Sequence, residues 1–400
     1  MTIPRLPRAV IPIYGTTLVD TLGYTLMIPL LPTVVRQYHA SYVMAGALLS
    51  IPAFFSAVAA PIWGKVSDGI GRKPVIIAAQ VLSLTGYLLL ALSHSLWLVF
   101  LSRVISGCGG GSLGAVESYV ADVTENDQRE FAYSVYGAVF GLAFVIGPAA
   151  SGALMHNGIA LPFFLATALE AFNVVFTTLF LPLRKQSRRK QSGMRETIEA
   201  AAEPSVRRVL IRQFLFIFAI VVFLANFSLF VEKMLQISVA SAAYMLAAAG
   251  AAGGVALLVV VTPLAKRVGD VWTSQIGLVA GVISYVLLIF ARVQWLFVAA
   301  LVIWAVGAAM AEPSLTTLLT KRAKASERGA IMGLSDSVNS IAMIAGPATG
   351  AAIVGSNAPL LGVLPAISVT AAFLLGLRSG KGARNGSVEP NRRRRTGQQQ

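Results

Sequence analysis

Apolar stretches of about 20 residues, the length at which a helix crosses ~30 Å of hydrocarbon, recur twelve times along this 400-residue chain. They begin near Val10, Val43, Pro74, Leu96, Ala132, Leu161, Arg212, Ala242, Trp272, Trp295, Gly329 and Ala358, with polar turns between them. Runs such as Val209 to Leu224 are apolar on every face. A membrane β-barrel strand alternates apolar with polar positions instead, so helices are expected throughout. The predicted fold class is all-α: a polytopic membrane protein whose twelve transmembrane helices form two pseudo-symmetric six-helix bundles.

Composition agrees with a lipid solvent. The chain is 56% hydrophobic and 12% charged, about half the charge that a soluble surface carries. A net charge of +15 raises the question of nucleic acid, and the placement of the charges answers it. With the amino terminus inside, 28 of the 32 Lys and Arg fall in termini and loops on one side of the membrane. Only Arg36, Lys233 and Arg292 lie near the other side, and Arg103 lies within a span. This positive-inside bias puts both termini in the cytoplasm of a cell (inner or plasma) membrane and requires no nucleic-acid partner. The first span is too long for a removed signal peptide and lacks a cleavage pattern. Cys108, the single cysteine, can form no intrachain disulfide.

A stretch rich in Arg, Lys, Gln and Ser divides the spans six and six. The expected organisation is a bundle over 1–183, a basic cytoplasmic linker over 184–211, a second bundle over 212–378 and a disordered basic tail over 379–400. The halves are related: Arg129 and Gly147-Pro148 recur 199 residues further on as Arg328 and Gly346-Pro347. A parallel repeat of this kind places a cavity at the interface near the midplane, exposed alternately to each side as the halves rock.

Three constellations carry the chemistry. Gly64, Asp68, Gly71, Arg72 and Lys73 punctuate the turn between spans two and three, where the glycines permit a tight turn. Arg103 shares a helix face with Gly107, Gly110 and Gly114, beside Gly111, so a charge stands above a smooth groove within the fourth span. An arginine there is costly, and it is expected to face the cavity or a carboxylate. Gly137, Gly141, Gly147, Pro148 and Gly152 weaken the fifth span and let a neighbour approach closely.

These elements resemble the loop signature G-x-x-x-D-x-x-G-R-K, the R-x-x-x-G element and the exporter element G-x-x-x-G-P-x-x-x-G of the major facilitator superfamily. Tyr119 to Arg129, reading YVADVTENDQR, and the opening from Asp20 to Pro32 look like bacterial twelve-helix drug:proton antiporters, a group that includes tetracycline exporters. The resemblance implies that Asp68, Arg72 and Asp122, with Arg129 nearby, form a cytoplasmic charge cluster that latches the outward-open state. In the second half, Lys266-Arg267-Val268-Gly269-Asp270 keeps the basic residues but scrambles the pattern.

Acids within spans are the expected proton carriers, because low dielectric favours the protonated carboxyl. Asp20, among Thr16, Thr17, Thr21 and Tyr24, is the first choice. Glu117 lies on nearly the same helix face as Arg103 but about 21 Å along the axis, too far for a direct pair. Glu312 precedes Pro313, which loosens its helix. Glu170 is either cavity-lining or an interhelical hydrogen-bond partner, and Glu232 with Lys233 reads as an interfacial ion pair. The expected function is proton-coupled antiport of an amphipathic or cationic small molecule by a monomer, driven by a proton gradient, with no cofactor and no metal. The alternative is a proton-linked transporter of one metabolite: a sugar, an amino acid or an organic anion. An enzyme is not expected: His39, His94 and His156 fall near outer loops, and the Gly107 to Gly111 run lacks a preceding strand and a Gly-Lys-Ser/Thr ending.

Overall fold

A computed structural model of the chain describes residues 6–31, 34, 37–111, 113–183, 202–322 and 328–385. Helices of the first half are Ile11–Met27 (α1), Tyr42–Ile70 (α2), Arg72–Ala91 (α3), Leu96–Gly110 (α4) with Leu113–Val123 (α5) continuing its span, Asn126–Leu154 (α6) and Ala160–Phe180 (α7). Those of the second are Pro204–Ala225 (α8) continued by Phe227–Leu235 (α9), Val239–Ala256 (α10), Thr262–Phe290 (α11), Gln294–Arg322 (α12), Arg328–Ser356 (α13) and Val363–Asn385 (α14).

Among the described residues, ten stretches are long and apolar enough to cross a membrane. One of them, Val239–Phe290, holds both α10 and α11, joined by a π-helical turn over Leu257–Val261. The 17-residue α1 supplies the remaining crossing, which recovers the twelve predicted spans. Ser41, Ser95 and Ser238 cap α2, α4 and α10 by accepting from the N–H of Met44, Leu98 and Ser241, so three spans start at short turns on the same side of the bundle.

Two boundaries differ from the sequence expectation. Pro204 at the first position starts α8 eight residues before Arg212, inside the expected 184–211 linker, because proline loses nothing where the N–H has no helical partner. Helix α14 runs on to Asn385, into the tail expected to be disordered, since adding turns to an existing helix carries no nucleation cost. The rest of the linker, 184–201, and of the tail, 386–400, lie outside the described residues.

Pairing within the halves repeats. In the first, α1 packs on α6 and α7, α3 on α4 and α7, and α2 on α4. In the second, α8 packs on α13 and α14, α11 on α12 and α14, and α10 on α12. Between halves, α2 packs on α13 and α10 on α6, again a related pair of contacts.

The interface is tight at one end and open at the other. At the end carrying Tyr42 and Ser356, a Cβ on Gly46 would lie 2.7 Å from the Cα of Ala348, and one on Gly152 3.0 Å from the Ala240 carbonyl. Nearer the middle, a Cβ on Gly250 would lie 3.2 Å from the Val145 side chain. Toward the end carrying Lys65, Arg72 and Lys321, hereafter the basic end, a Cβ on Gly64, Gly137, Gly141, Gly254 or Gly333 would meet nothing within 4 Å. All four interface helices thus change from contact to clearance along their length. The apolar core divides the same way. One buried cluster, including Leu30, Leu48, Phe223, Phe230 and Val354, joins the halves. Two others stand apart at the basic end: one around Val75, Val116 and Tyr119, the other around Val209, Leu319 and Ile331. The structure is a bundle closed at one end and parted at the basic end.

Candidate functional site

The parted cleft has an acidic lining. Asp20 and Tyr24 on α1, Glu117 on α5, Tyr136 on α6 and Asp336 on α13 all keep contact with solvent although protein crowds round them, as befits the wall of a cleft. Tyr136 has Asp20, Glu117, Tyr133 and Asp336 as electrostatic neighbours, so groups from both halves border one space. The Tyr133 hydroxyl donates to the Glu117 carbonyl at 2.9 Å, fixing α6 beside α5. Glu312 is exposed too, but none of these acids neighbours it. Asp336 is absent from the sequence-based candidates: between Ser335 and Ser337 it resembles the polar run-in to the eleventh span rather than part of it.

Behind Asp20, inside the first half, lies a second polar group. Tyr87 on α3 is packed against Gly23 and has Asp20, Tyr24, Arg103 and Glu170 as electrostatic neighbours. Arg103 is 3% exposed, which corrects the expectation that it faces the cavity. Among the described residues no carboxylate lies within ion-pairing distance of it; its Nε donates to Ser102 Oγ at 3.4 Å and its Nη2 has no partner. Glu170 on α7 is 0% exposed, and neither carboxylate oxygen has a hydrogen-bond partner. It is therefore neither cavity-lining nor an interhelical hydrogen-bond partner, both alternatives being corrected. Asn173, one turn on, donates one amide N–H to the Thr16 carbonyl at 3.2 Å and keeps its second N–H as the donor nearest the Glu170 carboxyl, short of a formed hydrogen bond.

Of the glycines on the Arg103 face, Gly107 and Gly110 meet α2 at Pro52 and Ser56, while Gly114, on α5, faces open space. Gly111 also meets α2, at Ala60, and Gly109, off that face, meets α3 at Ala79. In α6, only Gly147 and Gly152 make close approaches, to Thr25 and to α10, while Gly137 and Gly141 border the cleft. Thr25 Oγ1 also donates to the Ala143 carbonyl at 3.0 Å, pinning α1 to α6 just before Pro148.

At the basic end, Gly71 takes φ +96°, a left-handed value that a side chain rarely adopts, and turns α2 into α3. Arg72 then donates from Nη1 to Asp68 at 3.3 Å and to Ser67 at 3.0 Å, and from Nε to Asp122 at 3.4 Å. Lys73 donates to the Thr178 carbonyl at 2.7 Å. Arg129 lies in α6, and its side chain is outside the described residues. The second half has its own version of this turn. Gly269 takes φ +81°, and Asp270 pairs with Lys321. Lys321 lies 199 residues after Asp122, so the bridge recurs with its charges exchanged, a relation the scrambled loop sequence hides. At the closed end, Lys233 does not depend on Glu232: its Nζ donates to the Val354 carbonyl at 2.7 Å and sits 4.3 Å from the centre of the Tyr42 ring, tying α9 to α2 of the other half.

Residues 13–347, and separately 213–396, match the family profile described as Major Facilitator Superfamily. The chain is 29% identical over 340 residues to the tetracycline resistance protein, class G, of Vibrio anguillarum, covering 82% of this chain and 86% of that protein. It is 25% identical over 341 residues to multidrug resistance protein 1 of Bacillus subtilis (strain 168), covering 82% and 85%. Among solved structures, an inward-facing, unoccupied bacterial homologue of the human lysosomal transporter Spinster superposes with a TM-score of 0.78 at 13% identity, covering 96% of this chain and 98% of that one.

Proposed function

The chain belongs to the Major Facilitator Superfamily, a transporter and not an enzyme, and from that premise we propose that it exports amphipathic or cationic drugs in exchange for protons. The relatives named for tetracycline and multidrug resistance support this choice over a metabolite carrier. The observation that carries it is Asp20: an acid on a span, open to the cleft, backed by Tyr87, Glu170 and Arg103. Protonation of Asp20 removes the charge that holds a cationic substrate, so substrate and proton compete for one place. Glu117 and Glu312 are read as further acids of the transport path, and Arg103 as the cation that stabilises the ionised cluster.

In this reading the units 1–183 and 212–378 rock against each other about the closed end, joined by the 184–211 linker, with 379–400 as a tail. The basic end is cytoplasmic in the cell membrane, both termini lie there, and the present state is inward-open. Asp68, Arg72 and Asp122, with Arg129 nearby, form the latch that seals this end in the opposite state. Gly137 and Gly141 leave room for the substrate, while Gly147, Pro148 and Gly152 keep α6 close to α1 and α10. The protein works as a monomer in the bilayer on the proton gradient, without cofactor or metal.

The test is substrate-induced proton movement in proteoliposomes containing a pH-sensitive dye. Ethidium, tetraphenylphosphonium and tetracycline are expected to trigger it, and Asp20→Asn to abolish it. A response confined to sugars or amino acids would replace the exporter with a metabolite carrier. Unaltered exchange in Asp20→Asn would remove Asp20 from the mechanism.

A further inference from the structure

A polar seam runs through the interior of the first half. Glu170, Asn173 and Thr177 stand three and four residues apart on α7, hence on one face, turned to α1 and α3. Thr16 Oγ1 and Thr177 Oγ1 are 3.0 Å apart, and Gln80 Nε2 donates to Thr177 Oγ1 at 3.0 Å. All five residues are almost completely buried. Five atoms in and beside this seam have no partner: both Glu170 carboxylate oxygens, Asn173 Oδ1, Gln80 Oε1 and Arg103 Nη2. Natural interiors leave few buried polar atoms unpaired, and a buried carboxylate without donors is far costlier than the neutral acid. The second half has nothing of the kind at the related places. Residues 199 further on from Asp20, Arg103 and Glu170 are Ala219, Val302 and Val369.

We infer that Glu170 is a second proton-carrying group, sealed from the cleft and reached through Asp20, so that two protons enter for each substrate that leaves. This rests on the exporter reading above. The groups that face the pair are few: Tyr24 on α1, Tyr87 on α3, Arg103 on α4, Tyr136 on α6 and the amides of Gln80 and Asn173 are its titratable or polar surroundings. With the basic end open, the Asp20 O–H gives its proton to water in the cleft. The Glu170 O–H then gives its proton to the Asp20 carboxylate once a side-chain rotation or an entering water bridges the two, and that proton leaves by the same route. The pair is now anionic on both carboxyls, balanced by the Arg103 guanidinium and by the arriving cation. At the other side, two protons return in the reverse order, and the cation is released. Exchange of two protons for one monovalent cation moves net charge, so membrane potential drives it.

The experiment uses the full chain in liposomes with ethidium as the monovalent cation. Wild type is expected to move ethidium when a potassium diffusion potential is imposed at equal pH, and also when a pH gradient is imposed alone. Glu170→Gln is expected to lose the response to potential and to halve the protons moved per ethidium. Glu170→Asp should restore both, which a merely structural loss would not allow. A Glu170→Gln protein that follows potential like wild type overturns the inference, as does a wild type that answers the pH gradient but ignores potential. Should wild type move no ethidium under either gradient, the exporter reading fails on its own. Infrared difference spectra of the purified protein then decide about Glu170. A protonated-carboxyl band lost in Glu170→Gln and retained in Asp20→Asn supports the proton store, and an unchanged spectrum in Glu170→Gln refutes it.

Discussion

Arg103 and Arg212 are both buried in the membrane region, one in each half, and the protein treats them oppositely. Arg212 donates from Nε to the Ala372 carbonyl at 3.1 Å and from Nη2 to Gln275 Oε1 at 3.1 Å and Ser274 Oγ at 3.4 Å, stitching α8 to α11 and α14. Arg103 keeps an unpaired Nη2 beside Tyr87, with Glu170 and Asp20 in the same neighbourhood. Eleven residues further along α8 the second half adds aromatic contacts, with Phe223 against Phe227, Tyr285 and Trp304. It also pairs Gln213 with Ser335 at 2.7 Å. The second half spends its buried arginine on rigidity, and the first leaves its own with a free donor near two acids. The helix pairings of the two halves are the same, so the repeat conserved a framework while its chemistry diverged.

Four outcomes test that contrast, in descending size. Moving the acid across the repeat, as Asp20→Asn with Ala219→Asp, is expected to leave proton-driven export at the level of empty liposomes. Recovery of transport would mean that the halves are interchangeable. Substituting the arginines separates coupling from stability. Arg212→Met should cost about 2–4 kcal/mol from its lost interhelical hydrogen bonds, at about 1 kcal/mol each, and lower the melting temperature by about 2–5 °C. Transport per folded molecule stays near wild type. Arg103→Met should do the reverse, with a small change in melting and a loss of exchange of about tenfold or more, in line with removal of a balancing charge.

A subtler comparison concerns the close approaches of α6 and α13. In Gly147→Ala the new methyl meets Thr25 Oγ1, which is held by the Ala143 carbonyl. In Gly346→Ala it meets the Val221 side chain at 2.9 Å and the Val222 backbone at 3.2 Å, a less severe approach than that to Thr25. The first is expected to destabilise by about 1–3 kcal/mol, as overpacking does, and the second by less, both readable in thermal melts of the detergent-solubilised protein. Smallest is the exchanged bridge: Lys321 is mostly exposed, so Asp270→Asn should cost about 0.2–1 kcal/mol. The reversed pair Asp270→Lys with Lys321→Asp should recover it. Failure of that swap would show that the polarity of the second turn is dictated by its surroundings.

Much of this was readable in the chain. Span positions follow from apolar length, and the Gly64 to Lys73 turn announces itself because glycines and charges cannot be there for packing in lipid. Asp20 and Arg103 were visible as charges in spans. Their surroundings were not: whether Arg103 faces water or protein depends on how α3 and α7 close over it, which no helical spacing states. Glu170 shows the same limit, since its isolation from donors is a property of three helices together. Asp336 escaped because polar serines around it blur the start of α13. The turn at Gly269 escaped because the repeat preserves backbone shape and an ion pair but exchanges which side carries which sign.

The clearance between the halves at the basic end has a consequence for the lipid as well as for the cargo. A molecule joined at one end and parted at the other occupies more area in one leaflet than in the other. Rocking shut transfers that area across the bilayer, so lateral pressure in the two leaflets does work on the step. Lipid asymmetry therefore acts on this protein as a load acts on a lever, favouring whichever state yields area to the more crowded leaflet.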